Sequence, residues 1–444
     1  MKTQGDCRHS VRNVVCGVLT MLVLLEGALA QSLSLDRERM KTILDIVARD
    51  IEKNFYDPGL KGLDWRSLTD QTRQRIEKAQ TTGEMVTAIF ALTNKLQDSH
   101  TIFLPPPHAH RAEFGFEAKA FGNEVRAYEV KKDGAAKAAG LQDGDHILSI
   151  NRVAVDRENI DLAMLLFRAL RPVGAMDIEV ARGNEAPHTI HVEAKIKQGS
   201  YMMDMTNMNT IWQLVRESER ERKNPEYKRY DGDIGYLKIP NFESAPEQIH
   251  PWGPKAKDDK AVIIDLRDNP GGRTDTLATF AGFFQTDETE MGQVITRKKS
   301  EPLKIKAQHP GVDAPMFILV DSRSASAAEM FARHFQVNHR AMVVGDQTSG
   351  RVNAARLFVE RTGAEIVVPF ATEITVGRVV FPGGEELEKR GVTPDFVCIP
   401  TGDDLRQEKD PCLDAALKLA RVKLGISKAA AADSSADKTS VEKK

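Results

Sequence analysis

The chain has 444 residues, 41% hydrophobic, 6% aromatic and 28% charged, with 62 basic against 64 acidic side chains and a net charge of −2. That length suits about two to four domains. The balanced composition excludes a disordered chain, a fibrous repeat and a multispan membrane protein. The near-neutral charge provides no overall field for nucleic acid or an anionic bilayer, and neither is expected as a partner.

In chain order, Lys2, Arg8 and Arg12 precede an apolar run from Val14 to Leu25, and Ala28-Leu29-Ala30 follows. A basic start, a short apolar run and an Ala-x-Ala end predict a secretory signal peptide, residues 1–30. The run falls short of the ~20 residues of a spanning helix, so no membrane span is expected after cleavage; an uncleaved anchor is the alternative. Cleavage removes Cys7 and Cys16. Cys398 and Cys412 remain, in an exported and oxidising setting, periplasmic or extracellular, where a disulfide between them is expected over two free thiols.

From Leu35 to about Leu104 the periodicity is helical. Met40, Ile43, Leu44, Val47, Ile51 and Phe55 share one helix face, and Asp57-Pro58-Gly59 ends it. Thr81 with Glu84 forms a capping box that opens a further helix, with Met85, Ile89, Leu92 and Leu96 on its inner side. Pro105-Pro106-Pro107 closes this helical domain, residues 31–107. His108 and His110 beside the boundary have no third ligand nearby and read as solvated, so no metal site is assigned.

Residues 108–198 change to short β-like runs around one helical stretch, Glu158 to Leu170. The run Gly134-Ala-Ala-Lys-Ala-Ala-Gly140-Leu-Gln-Asp-Gly144-Asp145-His-Ile147-Leu148-Ser-Ile150-Asn151 resembles the core signature of a PDZ domain. The resemblance places Phe114-Gly115-Phe116-Glu117 at the loop whose N–H groups hold a peptide's terminal carboxylate, beside a strand edge open to an extended peptide. A plain strand start at Gly115 is the alternative. His188 and His191, three apart on the last strand, face opposite sides and do not chelate together.

From about residue 199 to 425 strands and helices alternate. Ala261–Leu266, Pro315–Val320 and Ala341–Val344 are nearly continuous apolar runs, as in strands buried on both faces, and each leads into a turn where ligands gather in such folds. The tail, 426–444, lacks periodicity and reads as disordered. The first turn is Asp265-Leu-Arg267-Asp-Asn269-Pro-Gly271-Gly272. Its glycines bend the backbone and bare the N–H groups that an oxyanion hole requires, although Asn-Pro-Gly-Gly also makes a plain turn. The second, Ser322-Arg-Ser324-Ala-Ser326-Ala327-Ala328-Glu329, sets Ser326 at a strand-to-helix corner, on the positive end of the helix dipole. That position suits a nucleophile, or with Glu329 a mere capping box. The third is Gly345-Asp-Gln-Thr-Ser-Gly350-Arg351.

In that order, behind a PDZ-like segment, the three turns resemble the carboxyl-terminal processing peptidases of serine peptidase family S41, over residues 35 to 425. The resemblance implies an α+β multidomain chain whose catalytic α/β domain has a fold like that of ClpP and crotonase, with no metal or organic cofactor. In the processing peptidases a lysine 25 residues after the serine is the base. Here Arg351 holds that position, and a guanidinium of pKa above ~12 does not give up its proton near neutrality. The tricorn-like branch uses serine, histidine and glutamate instead, with a second serine before the histidine. Asp98-Ser99-His100-Thr101 resembles that element, which implies His100 as general base and Ser99 as helper; His334 and His339 are the other candidate bases. Glu385-Glu386-Leu387-Glu388-Lys-Arg-Gly391-Val392 resembles the segment carrying the acidic partner, which aligns Glu388, with Glu385 and Glu386 open. The implied chemistry is acyl transfer by Ser326, with the oxyanion held by Ala327 and by Gly271 or Gly272. The implied function is an exported serine endopeptidase that gathers polypeptides by their free C-termini. An inactive PDZ adaptor, and a carrier of a small apolar ligand like the family's retinoid-binding relatives, are the competing readings.

Overall fold

The computed structural model describes residues 33–106, 110–170, 173–198, 224–363 and 368–426. The expected signal peptide with Cys7 and Cys16, His108, and the tail beyond 426 lie outside the described residues. The chain divides into two compact units: residues up to 107 together with 357–374, and 108–356 together with 375–444.

In the first unit, helix α1 (33–54) buries Met40, Ile43, Leu44, Val47 and Ile51, and Phe55 just beyond it is wholly buried, so the apolar stripe is the core face. Asp64 caps α2 (Trp65–Lys78), accepting from Ser67 N–H at 3.0 Å. Thr81 caps α3 (Thr82–Asn94), accepting from Glu84 N–H at 3.2 Å. Strand β1 (Ile102–Leu104) pairs antiparallel with Ala371, Thr372 and Glu373, so the helical segment completes its core with residues from far downstream, Phe370 and Ile374 among them.

In the second unit, β2 (His110–Glu113) pairs with β9 (Lys195–Gln198). Between them lie β3 (Glu117–Phe121), β4 (Glu124–Tyr128), β5 (His146–Ile150), β6 (Val153–Ala154), β7 (Ala175–Ala181) and β8 (His188–Glu193). Their sheet runs β3-β4-β5-β7-β8, with β6 paired to β5, so β3 is an edge strand. The short helix α4 (Ala135–Ala138) and α5 (Ile160–Leu165), which continues as a π-helical turn through Leu170, complete this layer. His188 and His191 are both exposed, and His191 pairs with Asp177.

The α/β part follows: β10 (Glu226–Tyr230), β11 (Ile234–Lys238), β12 (Ala261–Asp265), α6 (Thr274–Ala281), the hairpin β13 (Thr289–Thr296) and β14 (Ser300–Ile305), β15 (Met316–Val320), α7 (Ala327–Val337), β16 (Ala341–Gly345), β17 (Ala354–Thr362), β18 (Val368–Val380), β19 (Phe396–Val397) and α8 (Pro411–Lys423). The main sheet is ordered β10-β11-β12-β15-β16-β19, parallel from β11 onward. β12 and β15 are buried at every position, as a strand covered on both faces must be. Val262, Ile264 and Ile318 pack with Phe331 and Phe335 of α7 on one face, and Ala261, Ile263 and Leu319 with Ala416 and Ala420 of α8 on the other. β16 is less enclosed than its apolar run predicts, with Met342 39% exposed. Cys398 and Cys412 are disulfide-bonded, Cα–Cα 5.5 Å, which ties α8 to the segment after β19.

Candidate active site

Because β12, β15 and β16 are adjacent and parallel, their carboxyl ends open side by side into the turns at 266–272, 321–326 and 346–351. Backbone and side-chain bonds lace these turns together. Asp321 accepts from the N–H groups of Asp268, Arg323 and Ser324 at 2.9–3.0 Å, and Ser324 Oγ donates to Leu266 O at 2.8 Å. Ala325 N–H donates to Asn269 O, and Ser349 N–H to Ser324 O.

Ser326 stands at the corner between β15 and α7, half-buried, with φ 52° and ψ −118°. A non-glycine residue in that region is strained by about 1–3 kcal/mol, and such strain persists only where surrounding contacts fix it. Gly271 (φ 96°) lies against it: a Cβ on Gly271 would stand 2.6 Å from Ser326 Cβ and 2.9 Å from Ala327 N. Only glycine meets both requirements. The Gly271 N–H, one of the two glycine candidates for the oxyanion hole, is occupied by Asn269 Oδ1 at 2.8 Å. Among the described residues no hydrogen bond takes the N–H of Gly272 or of Ala327, so these two are the donors still open beside Ser326.

The three glutamates of the 385–388 segment separate by their partners. Glu385 binds Arg333 at 2.8 and 2.9 Å and also Arg390; burial opposes its ionisation, but these guanidinium groups hold its pKa below the usual range. Glu386 pairs with Arg378 at 2.7 Å. Glu388 Oε2 accepts from Val352 and Asn353 N–H at 3.1 and 3.3 Å, whereas its Oε1 is buried and, among the described residues, has no hydrogen-bond partner. Of the three, Glu388 is the one with a buried oxygen that no hydrogen bond takes among the described residues.

His100 and Ser99 belong to the first unit, at the end of its helical part. Ser99 Oγ lies 2.9 Å from His100 Nδ1, and Asp98 Oδ1 accepts from His100 N–H and Thr101 Oγ1, which fixes the turn that presents the ring. The other candidate bases differ. His334 is 2% exposed, its ring is engaged by Gln285, and burial pushes its pKa down to about 4, so it is a neutral core residue. His339 is exposed just beyond α7.

Sequence reasoning missed three features. Glu329 forms the capping box with Ser326 that the spacing allows, but it is wholly buried; burial raises its pKa to about 7, against hydrogen bonds from Thr348, Gly350, Arg351 and Ser326 that favour its ionised form. Asp265, Arg267, Tyr236 and Asp410 form an ionic network at the start of the first turn, with Asp265 and Tyr236 buried and Asp410 partly exposed, visible in the sequence only as an acidic and a basic residue two apart. Lys119 of β3 is likewise buried, paired with Asp268 and Asp321.

Phe114 and Phe116 are core residues, while Gly115 (φ 79°) turns the chain between them. Arg168 donates to Phe116 O, pairs with Glu117 at 2.8 Å, and has a buried Nε with no partner among the described residues. A cleft of about 340 Å³ between α6 and the β13–β14 hairpin is lined by Leu277, Met291, Leu303 and Met330. Among the described residues no group of three or more His, Cys, Asp or Glu side chains could hold a metal ion.

Residues 233–398 match the profile of Peptidase family S41, and residues 36–90 match the Tricorn protease C1 domain. The carboxyl-terminal-processing protease of Picosynechococcus sp. is 25% identical over 404 residues, covering 88% of this chain and 90% of that protein. The chloroplastic carboxyl-terminal-processing peptidase 1 of Arabidopsis thaliana is 24% identical over 332 residues, 71% of this chain and 63% of that protein's length. In fold, the chain is similar to mature CPAF (TM-score 0.66, 13% identity, 88% of this chain and 98% of that one). It is similar also to the photosystem II D1 C-terminal processing protease (TM-score 0.51, 16% identity, 81% and 93%).

Proposed function

The chain belongs to peptidase family S41 and is a serine-type peptidase; from that premise we propose that Ser326 is its nucleophile, His100 the general base, Ser99 the helper and Glu388 the acidic partner. Ser326 Oγ attacks a peptide carbonyl as His100 takes its proton. Ser99 on Nδ1 leaves Nε2 as the nitrogen for that transfer. The N–H groups of Gly272 and Ala327 receive the oxyanion, His100 protonates the leaving amine, and water releases the acyl-enzyme. Losing one such donor typically costs ~10²–10³ in rate, about 3–4 kcal/mol. The observation that carries the reading is the approach of Gly271 to Ser326, which brings two strand-end turns and their open N–H groups to one strained serine.

The test is a fluorophosphonate probe on the protein, with the adduct located by mass spectrometry. Labelling of Ser326 and its loss in His100→Ala are expected. No adduct at Ser326, with and without a peptide bearing a free C-terminus, overturns the nucleophile. A His100→Ala variant that labels at the wild-type rate overturns the base alone. An inactive adaptor, which Arg351 in the lysine position favours, predicts peptide affinity without an adduct. A carrier function, for which the cleft beside α6 is the candidate seat, predicts a ligand that survives purification.

The finer reading is an exported endopeptidase whose 110–198 segment is a PDZ-like module that holds polypeptides by their free C-termini. The basic-apolar-Ala-x-Ala start and the Cys398–Cys412 disulfide support export. The Gly115 turn, Arg168 beside it and the edge strand β3 support capture of an extended peptide by its carboxylate. Among the described residues no helix is long and apolar enough to cross a membrane.

A further inference from the structure

Glu329 follows Ser326 by three residues, where a carboxylate ordinarily reaches back over a helix start in contact with water. Here it is 0% exposed, and both oxygens are filled. Oε2 accepts from Ser326 N–H at 3.0 Å and Arg351 N–H at 2.9 Å; Oε1 accepts from Gly350 N–H at 2.7 Å and Thr348 Oγ1 at 2.5 Å. Thr348 Oγ1 in turn accepts from Val392 N–H at 2.6 Å, and Ser326 N–H is shared with Arg351 O at 2.6 Å. A single carboxylate thus takes donors from the nucleophile's own peptide unit and from three residues of the turn after β16.

None of its four donors is charged, and among the described residues Glu329 takes part in no salt bridge. What holds the carboxylate is therefore peptide and hydroxyl dipoles, which are directional where a counter-ion is not. Its fixed target is Ser326 N–H, at the residue whose positive φ costs energy and needs external support.

We propose that Glu329 is a positioning residue: its carboxylate clamps the 348–351 turn to the Ser326 peptide unit and thereby holds Ser326 in the left-handed conformation that aims its hydroxyl. The proposal rests on Ser326 as nucleophile. Glu329→Gln keeps the shape but sets an amide N–H₂ against peptide N–H donors, leaving them unpaired. A misplacement of this kind costs about 10²-fold in rate.

The experiment is saturation labelling of Ser326 with the fluorophosphonate, which separates the maximal inactivation rate from the half-saturating concentration. Glu329→Gln should lower the maximal rate about 10²-fold and leave half-saturation within about threefold, since the probe's own contacts are intact. Thr348→Val should lower the maximal rate and Thr348→Ser, which restores the hydroxyl, should recover it; this pair decides the matter if Glu329→Gln does not fold. Variants that label at the wild-type rate overturn the clamp while leaving Ser326 as nucleophile. A wild-type protein without an adduct overturns the nucleophile and the clamp with it.

Discussion

Gly271 lies against Ser326: any side chain at 271 would begin 2.6 Å from Ser326 Cβ and 2.9 Å from Ala325 O, at a φ of 96° that L residues rarely adopt. Two turns that leave different strands are thereby locked into one another, with Ala325 N–H bonded to Asn269 O as the seam.

Gly271→Ala should therefore push the two turns apart. The expected result is a folded protein, because the sheet and its helices are untouched, with kcat/KM for polypeptide hydrolysis lowered by about 10²-fold or more. Rates on an unstructured polypeptide, read beside a thermal melt, check this. Wild-type activity in Gly271→Ala would show that the contact is unrelated to the chemistry.

Glu388→Gln should be the one damaging change among the three neighbouring glutamates. It removes the charge of the carboxylate whose Oε1 is buried and has no partner among the described residues. Neutralising the acid of a triad costs up to about 10⁴ in kcat. Glu386→Gln breaks only the half-exposed pair with Arg378, worth about 0–1 kcal/mol, and should leave turnover within about twofold. Equal losses for both variants would remove Glu388 from the mechanism.

The contrast between these residues also shows where sequence reading ends. Ala261–Leu266 and Pro315–Val320 announce themselves because strands enclosed on both faces need unbroken apolar runs, and Ser326 follows directly from the second. With three glutamates in four positions the alignment of Glu388 stays open in one dimension; the placement of Arg333, Arg378 and Arg390 separates them. Lys119 lies between two alanines, and nothing beside it in the sequence points to Asp268 and Asp321, with which it is buried. Glu329 has the spacing of a surface cap, and nothing in its neighbours foretells the turn that covers it. The pairing of β1 with Ala371–Glu373 joins segments at opposite ends of the chain, beyond any local pattern.

Arg267 donates to Asp265 at 2.7 and 3.0 Å and to Asp410 at 2.8 Å, with Tyr236 OH on Asp265 at 2.6 Å. Burial opposes ionisation of both carboxylates, but Arg267 outweighs it and holds their pKa values below the usual range. A depressed carboxylate contributes stability above its unfolded pKa, near 3.8, and loses that contribution as pH falls through the folded value. Arg267→Met strands the buried Asp265 charge and should cost about 3–5 kcal/mol at neutral pH. The gap between variant and wild type should narrow between pH 7 and about pH 3, as protonation removes the stranded charge. Urea midpoints for both proteins across that range test the sign; a gap independent of pH would contradict it.

The Cys398–Cys412 bond closes a short loop, 14 residues apart in sequence, that anchors α8 on the Ala261–Leu319 face of the main sheet. A loop of about 15 residues is worth roughly 3 kcal/mol in restricting the unfolded chain. Cys398→Ser with Cys412→Ser should lower the melting temperature, and reductant should do the same to the wild type but not to the double variant. A wild-type melt unmoved by full reduction would mean that α8 is held by packing alone.

The carbonyls on the free edge of β3 are already engaged: Ala118 O by Arg323 Nη2 and Ala120 O by Ser322 Oγ, both at 2.6 Å. A peptide adding to β3 as an extra strand needs those same acceptors. Capture of a C-terminus by the 110–198 segment must therefore displace Ser322 and Arg323, which precede Ser326 by four and three residues. A charge-assisted hydrogen bond is worth about 1.5–3 kcal/mol, and Arg323 also holds Asp161 and Tyr128. Arg323→Ala should relieve the competition and tighten peptide binding by about tenfold, the equivalent of 1.4 kcal/mol. Fluorescence anisotropy with a labelled apolar peptide, carboxylate-terminated or amidated, measures this directly. Affinity that is unchanged or weaker in Arg323→Ala would show that β3 is not the docking edge, and equal binding of the amidated peptide would show that the Gly115 turn and Arg168 do not read a carboxylate.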